Sequence, residues 1–189
     1  MRYTLDLVGV KEVRWENGGT VRAGDYTFCY GKGNKNHQLE TGFFCTSQNS
    51  ISSKDSTVFI SDSISYIDLR GCWCKVIVLN VCVPGEEKSD DSKGRFYEQL
   101  GQVLDHFPKY HMKILFRNFN AKFGIEGIFK PTNGNDSLHQ DNNNNGIRIA
   151  NIATSKNLVV KSTMFPQGNI HNYTPTSPDG KTHNWIDHI

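Results

Sequence analysis

Three apolar segments of this chain run into a polar or acidic residue. LDLVGVKE reaches Glu12, KILFRNFN reaches Asn118 and Asn120, and HNWIDHI carries Asp187. Strand ends in α/β sheets line the crevice where ligands bind, so carboxylates and carboxamides placed there converge although they are far apart in sequence. Their shared chemistry would be that of a polar cleft holding a ligand through oxygen atoms and amide donors. Taken singly, each is also explained as a residue leaving the sheet for solvent. The set of three points to a site.

The elements that must position these residues are mostly short strands. LDLVGV at 5–10, YTFCY at 26–30, GFFC at 42–45, STVFI at 56–60, SYIDL at 65–69 and KVIVLNVCV at 75–83 are strand-like runs separated by Gly, Asn and Ser turns. RFYEQLGQVLDHF at 95–107 changes to helical period, with Phe96, Leu100, Val103, Leu104 and Phe107 on one stripe and Pro108 as the stop. KILFRNF at 113–119 is a further apolar strand. From Gly124 to Gly146 the chain is rich in Gly, Asn and Pro and ends in DNNNNG, which predicts a mobile polar surface loop with little to bury. GIRIANIATSKN then predicts a short helix, LVVKSTMF a strand, SPDG at 177–180 a turn and WIDHI the start of one more strand. Strands, helix, strand, helix, strands in that order predict an α/β sandwich with sheets inside and helices outside.

Length and composition bound the rest. At 189 residues, 37% hydrophobic and 11% aromatic, the chain has the size and core material of one domain, and neither repeat nor linker divides it. No apolar run reaches the ~20 residues of a membrane-spanning helix, so no membrane partner is expected. Arg2, Asp6 and Lys11 interrupt the place where a signal peptide needs its apolar core. A net charge of +2 is too weak to announce a nucleic-acid binder by bulk electrostatics, and Lys32, Lys35 and His37 in GKGNKNH read as a solvated turn. The five cysteines, Cys29, Cys45, Cys72, Cys74 and Cys82, are an odd set lying largely in apolar runs, which predicts a reducing, intracellular compartment, nuclear or cytoplasmic. Cys72 and Cys74 would project from one face of a strand, yet no second pair completes a zinc site.

KEVRW at 11–15, KILFRNFNAKFG at 113–124 and SPDGKTHNWIDHI at 177–189 closely resemble the endonuclease/exonuclease/phosphatase superfamily. The branch is that of LINE-type retrotransposon endonucleases and the craniofacial development protein 2-like proteins derived from them. The resemblance extends through DYTFCYGKGN, FPKYHMKIL and NLVVKSTMF, so it covers essentially the whole chain. It implies a four-layer α/β sandwich, two central mixed sheets flanked by helices, over residues 1–189. It also implies Mg²⁺- or Mn²⁺-assisted hydrolysis of phosphodiester bonds in DNA, where a hard cation polarises the phosphoryl oxygen and a second group activates water.

Carried over residue by residue, the resemblance makes Glu12 the metal-binding glutamate and Asn120 the residue that hydrogen-bonds the scissile phosphate. Thr174 matches a substrate-contacting threonine, though Pro175 replaces the large aromatic usually found next. Asp187 matches the aspartate that braces the catalytic histidine. Cys82, in NVCVP, stands where relatives place a Tyr or His touching the phosphate, and a thiol is a shorter, weaker partner. His188 is not the catalytic histidine, which in the family lies further along in a Ser-Asp-His segment.

The sharpest departure is at 117–120, where the family reads Gly-Asp-Phe-Asn and this chain reads Arg117-Asn118-Phe119-Asn120. The family aspartate takes or orients the proton of the attacking water, whereas Asn118 is not a base and offers donors where an acceptor is required. By analogy with a triad Asp exchanged for Asn, the loss is on the order of 10⁴-fold. Arg117 crowds the approach that glycine leaves open or pairs with Glu12 in place of metal. The expectation is a domain truncated at both ends, without the family's first strand and its Ser-Asp-His segment. Sheet edges uncovered by that loss would invite self-association. Two readings follow: a degenerate DNA endonuclease of weak or absent activity, and a non-catalytic remnant that binds nucleic acid or protein through the old cleft. A translated fragment without a selected role is a third.

Overall fold

Alternation of apolar and polar side chains builds most of this protein. In a computed structural model it gives nine strands and two helices among the described residues, which are 7–11, 13, 18–31, 41–46, 57–70, 72–85, 87–119, 121–124, 132, 141–161 and 187–188. The strands are β1 Leu7–Lys11, β2 Gly19–Ala23, β3 Tyr26–Tyr30, β4 Thr41–Thr46, β5 Thr57–Ser61, β6 Ile64–Arg70, β7 Lys75–Val81, β8 Met112–Asn118 and β9 Asp187–His188. The helices are α1 Asp90–His106 and α2 Asn144–Ser155. The chain divides into two compact units, Met1–Cys82 with Pro108–Phe116, and Val83–Phe107 with Arg117–Ile189.

The first unit is a pair of packed sheets. One has the order β1-β4-β3-β2 and is antiparallel throughout. In the other, β5, β6 and β7 are antiparallel neighbours and β8 joins β7 in parallel. The expectation of two mixed sheets therefore holds for the second only. Phe43 and Cys45 of β4 pack on Ile67 of β6 and Val78 of β7, with Leu7, Leu69 and Val76 at the margin. β2 is not evident from the sequence because its GTVRA pattern is mostly exposed, leaving no buried face for periodicity to reveal. Its hairpin to β3 turns on Gly24, whose φ of 61° lies in the left-handed region that glycine adopts without strain.

The second unit is organised by its helices. Ser89 caps α1 by accepting from the Ser92 amide at 3.3 Å, and Asp90 and Asp91 occupy the first turn, where carboxylates suit the helix dipole. Phe96, Tyr97, Leu100, Val103 and Leu104 form its buried stripe. α2 buries Ile149, Ala150 and Ala153. Polar links run between the helices and their ends: Tyr97 to Asn145, Asn144 and Arg148 to Asp90 at 3.4 and 3.3 Å, and Lys156 to Asp105 at 2.6 Å.

Two expectations are overturned here. Of the stretch expected to be a polar surface loop, 125–131 and 133–140 lie outside the described residues, and its end DNNNNG begins α2: Asn142 Oδ1 accepts from the Gly124 amide at 3.0 Å, and Asn143 Oδ1 accepts from Lys122 and Gly146 at 2.9 and 2.8 Å, capping the helix. Asn145 is fully buried, donating to the Pro84 carbonyl at 2.9 Å and accepting from Tyr97 Oη at 3.2 Å. Carboxamides carry donors and acceptors together, so a polar run satisfies backbone groups that apolar residues would leave unpaired. Cys72 and Cys74 lie in the bend between β6 and β7, not within a strand, so strand alternation does not set their directions. Of LVVKSTMF, residues 158–161 are described, and Val160 makes an isolated bridge by donating to the Thr132 carbonyl at 2.9 Å. The SPDG turn lies outside the described residues.

Candidate functional site

Asn118 is the last residue of β8, and its Cα partner across the antiparallel ladder is Asp187 of β9; Arg117 is likewise paired with His188. Two of the residues that the sequence singles out thus occupy one rung at the end of β8. Glu12, Asn120 and Thr174 lie outside the described residues.

Cys82 follows β7, is half-buried, and donates its backbone N–H to the Ser63 carbonyl at 2.8 Å. Two positions earlier, Asn80 is fully buried within the first unit. Its Nδ2 donates to the Gly42 carbonyl at 2.9 Å and to the Val10 carbonyl at 3.4 Å, so a residue of one sheet grips the other. Sequence reasoning passes over Asn80. The signal is present as one carboxamide inside the apolar run KVIVLNVCV.

Asn80 belongs to a wider change of polarity. Moving two residues from Phe43, Ile67 and Val78 along their strands leads to Thr41, Ser65 and Asn80, all fully buried, and period two keeps each on the same strand face as its apolar neighbour. The register relates them, since Ser65 is opposite Asn80 and Thr41 adjoins Gly42. The inner faces are therefore apolar in the middle and polar at the end where β1 runs toward Glu12 and β7 toward Cys82. Among the described residues, Thr41 Oγ1 and Ser65 Oγ have no hydrogen-bond partner.

Among the described residues no three His, Cys, Asp or Glu gather, and Glu12 is not one of those residues. Cys45 is not a chemical participant: burial first, and the neighbouring Cys29 second, push its thiol up to about 12, leaving it protonated and inert. None of the five cysteines is in a disulfide, and no helix among the described residues is long and apolar enough to cross a membrane.

The chain is similar to craniofacial development protein 2. The proteins of that name from Tragulus javanicus and Bos taurus each align over 188 residues at 26% identity, covering all of this chain and 32% and 31% of their own lengths. The chain spans about a third of the curated relatives it matches. No family model matches it.

Proposed function

We propose that this chain is a retroelement-derived endonuclease domain of the four-layer endonuclease/exonuclease/phosphatase architecture, in which phosphodiester hydrolysis of DNA is weak or absent. The observation that carries the reading is the opposition of Asn118 and Asp187 in the β8–β9 ladder. Motif resemblance assigns both residues to one site, and the strand pairing gives them one register. The similarity to craniofacial development protein 2 over the whole chain supports the same ancestry.

In this reading Glu12 holds Mg²⁺ or Mn²⁺, which when bound supplies Lewis-acid polarisation of a phosphoryl oxygen. Asn120 and Thr174 hold the phosphodiester, and Cys82 lines the approach. Asn118 presents an amide where water activation needs a base, so the chain orients substrate without efficiently deprotonating the nucleophile. Groups that act as a unit fail together, which makes this single exchange sufficient to remove most of the rate.

Nicking of supercoiled plasmid with Mg²⁺ or Mn²⁺ tests the reading. The unaltered chain should nick slowly or not at all, and Asn118→Asp should raise the rate by roughly 10²–10⁴-fold, the range for a positioned general base. Robust nicking by the unaltered chain that Glu12→Gln abolishes overturns the impairment. Plasmid binding without nicking, even in Asn118→Asp, favours a binding remnant instead.

A further inference from the structure

We infer that the end of the second sheet remote from Asn118 is a docking surface for single-stranded nucleic acid, with Trp73 and Tyr110 as base-stacking rings and Arg70, Lys109 and Lys113 as phosphate contacts. β7 starts at Lys75 and β8 at Met112, and the parallel register pairs Val76 with Met112, so the β6–β7 connection and the loop before β8 emerge side by side. Arg70 and Lys75 form the last rung of the β6–β7 ladder, which puts Trp73 in the connection beyond it. Asn118 ends β8 six residues after Met112, about 20 Å away at the rise of a strand. The surface is therefore separate from the candidate site, and the inference does not depend on hydrolysis there.

Trp73 is 99% exposed and Tyr110 73% exposed, and Met112 and Ile114 are exposed beside them in the chain. Single apolar side chains at a surface are ordinary, whereas several on adjoining segments mark an interaction face. Tyr110 makes a perpendicular ring contact with His111 at 4.5 Å, so its plane is set while most of the residue stays open. A ring held in one plane suits stacking on a flat partner, whereas insertion into lipid asks for no such orientation.

Charge decides the class of partner. Residues 68–76 and 109–114 carry Arg70, Lys75, Lys109 and Lys113 against one carboxylate, Asp68, which accepts from Lys75 at 2.6 Å. With Lys75 so paired, the other three carry the excess of positive charge. Lys113 Nζ donates to the carbonyls of Pro108 and His111 at 2.9 and 3.5 Å, which fixes a cation in the loop of Tyr110 without neutralising it. An acidic peptide would use the cations and leave both rings idle. Single strands use both, because bases stack on aromatic rings while cations follow the backbone. A duplex keeps its base faces stacked on one another, out of reach of Trp73 and Tyr110.

Fluorescence anisotropy of a labelled oligothymidine of about 20 nucleotides, longer than one site of this kind, tests the surface. Trp73→Ala and Tyr110→Ala should each weaken binding roughly 5- to 150-fold, the worth of one stacked base. Both residues are exposed, so Tm should hold, and Trp73→Phe should restore most of the affinity. Lys109→Ala should lower the slope of log affinity against log salt by about 0.7, the share of one phosphate contact on a single strand. Val21→Ala, which truncates an exposed apolar residue of the other sheet, should change neither reading. Oligothymidine binding that both ring variants leave intact overturns the proposal. So does a chain that ignores oligothymidine but binds phosphatidylserine vesicles or polyglutamate through Trp73.

Discussion

Asn118 and Asp187 are Cα partners on the rung that joins the end of β8 to β9. An aspartate at position 118 has an electrostatic consequence of its own. Like charges directly opposite each other destabilise an antiparallel pair by about 0.2–1 kcal/mol. At low ionic strength Asn118→Asp should therefore lower Tm by up to about 2–4 °C, and millimolar Mg²⁺ should recover it. Combining Asn118→Asp with Asp187→Asn should recover it without Mg²⁺. An unchanged Tm in the single variant at low salt would show that the two positions are not opposed in solution.

Asn145 is the most consequential member of the asparagine run. It is fully buried, and Asn145→Ala leaves the Pro84 carbonyl and the Tyr97 hydroxyl without its carboxamide. A hydrogen bond is worth about 0.5–1.5 kcal/mol net, so losing the two that the carboxamide makes should lower the urea midpoint clearly. Asn144→Ala, whose hydrogen bonds to Asp90 and Arg148 are exposed, should change it little. Equal effects of the two would sink the distinction.

Asn143→Ala removes the cap of α2 and the acceptor for the Lys122 amide in one step. The cap alone is worth about 0.5–2 kcal/mol. A Cβ at Gly146 would overlap the Lys122 carbonyl, so Gly146→Ala is predicted to be destabilising although alanine is the better helix former. Chemical denaturation of both variants decides whether this junction or helix propensity dominates.

Cys45 makes alkaline stability fall. Its thiol releases a proton at about 12 when folded, against 9.0 ordinarily, because burial and then Cys29 oppose the thiolate. Between those values the unfolded chain binds fewer protons than the folded one, so unfolding is favoured as pH rises. Cys45→Val should flatten the decline of the urea midpoint from pH 9 upward. At pH 8 a thiol reagent should modify the exposed Cys72 at once and Cys45 only as fast as the chain opens. Prompt labelling of Cys45 would contradict its burial.

Much of the scaffold is legible in the order of the amino acids. YTFCY is β3 residue for residue, KILFRNF overlaps β8, and the stripe from Phe96 to Leu104 is the buried face of α1, because period and burial are local consequences of side-chain type. The placement of Asn118 at a strand end is legible for the same reason. Its pairing with Asp187 is not: register across a ladder is set by which strands meet, and no residue near 118 encodes a partner near 187.

The sequence by itself determined the alternating strands, the apolar stripe of the first helix and the placement of a carboxamide at the strand end at position 118. Only the tertiary structure decided what each carboxamide does. Asn142, Asn143, Asn144 and Asn145 are chemically identical, yet one serves the Gly124 amide, one caps a helix, one lies in an exposed network and one is buried. Asn80, alone in an apolar run, reaches across to Gly42 and Val10. A carboxamide satisfies whatever donor or carbonyl lies within reach, and those groups are brought there by distant parts of the chain.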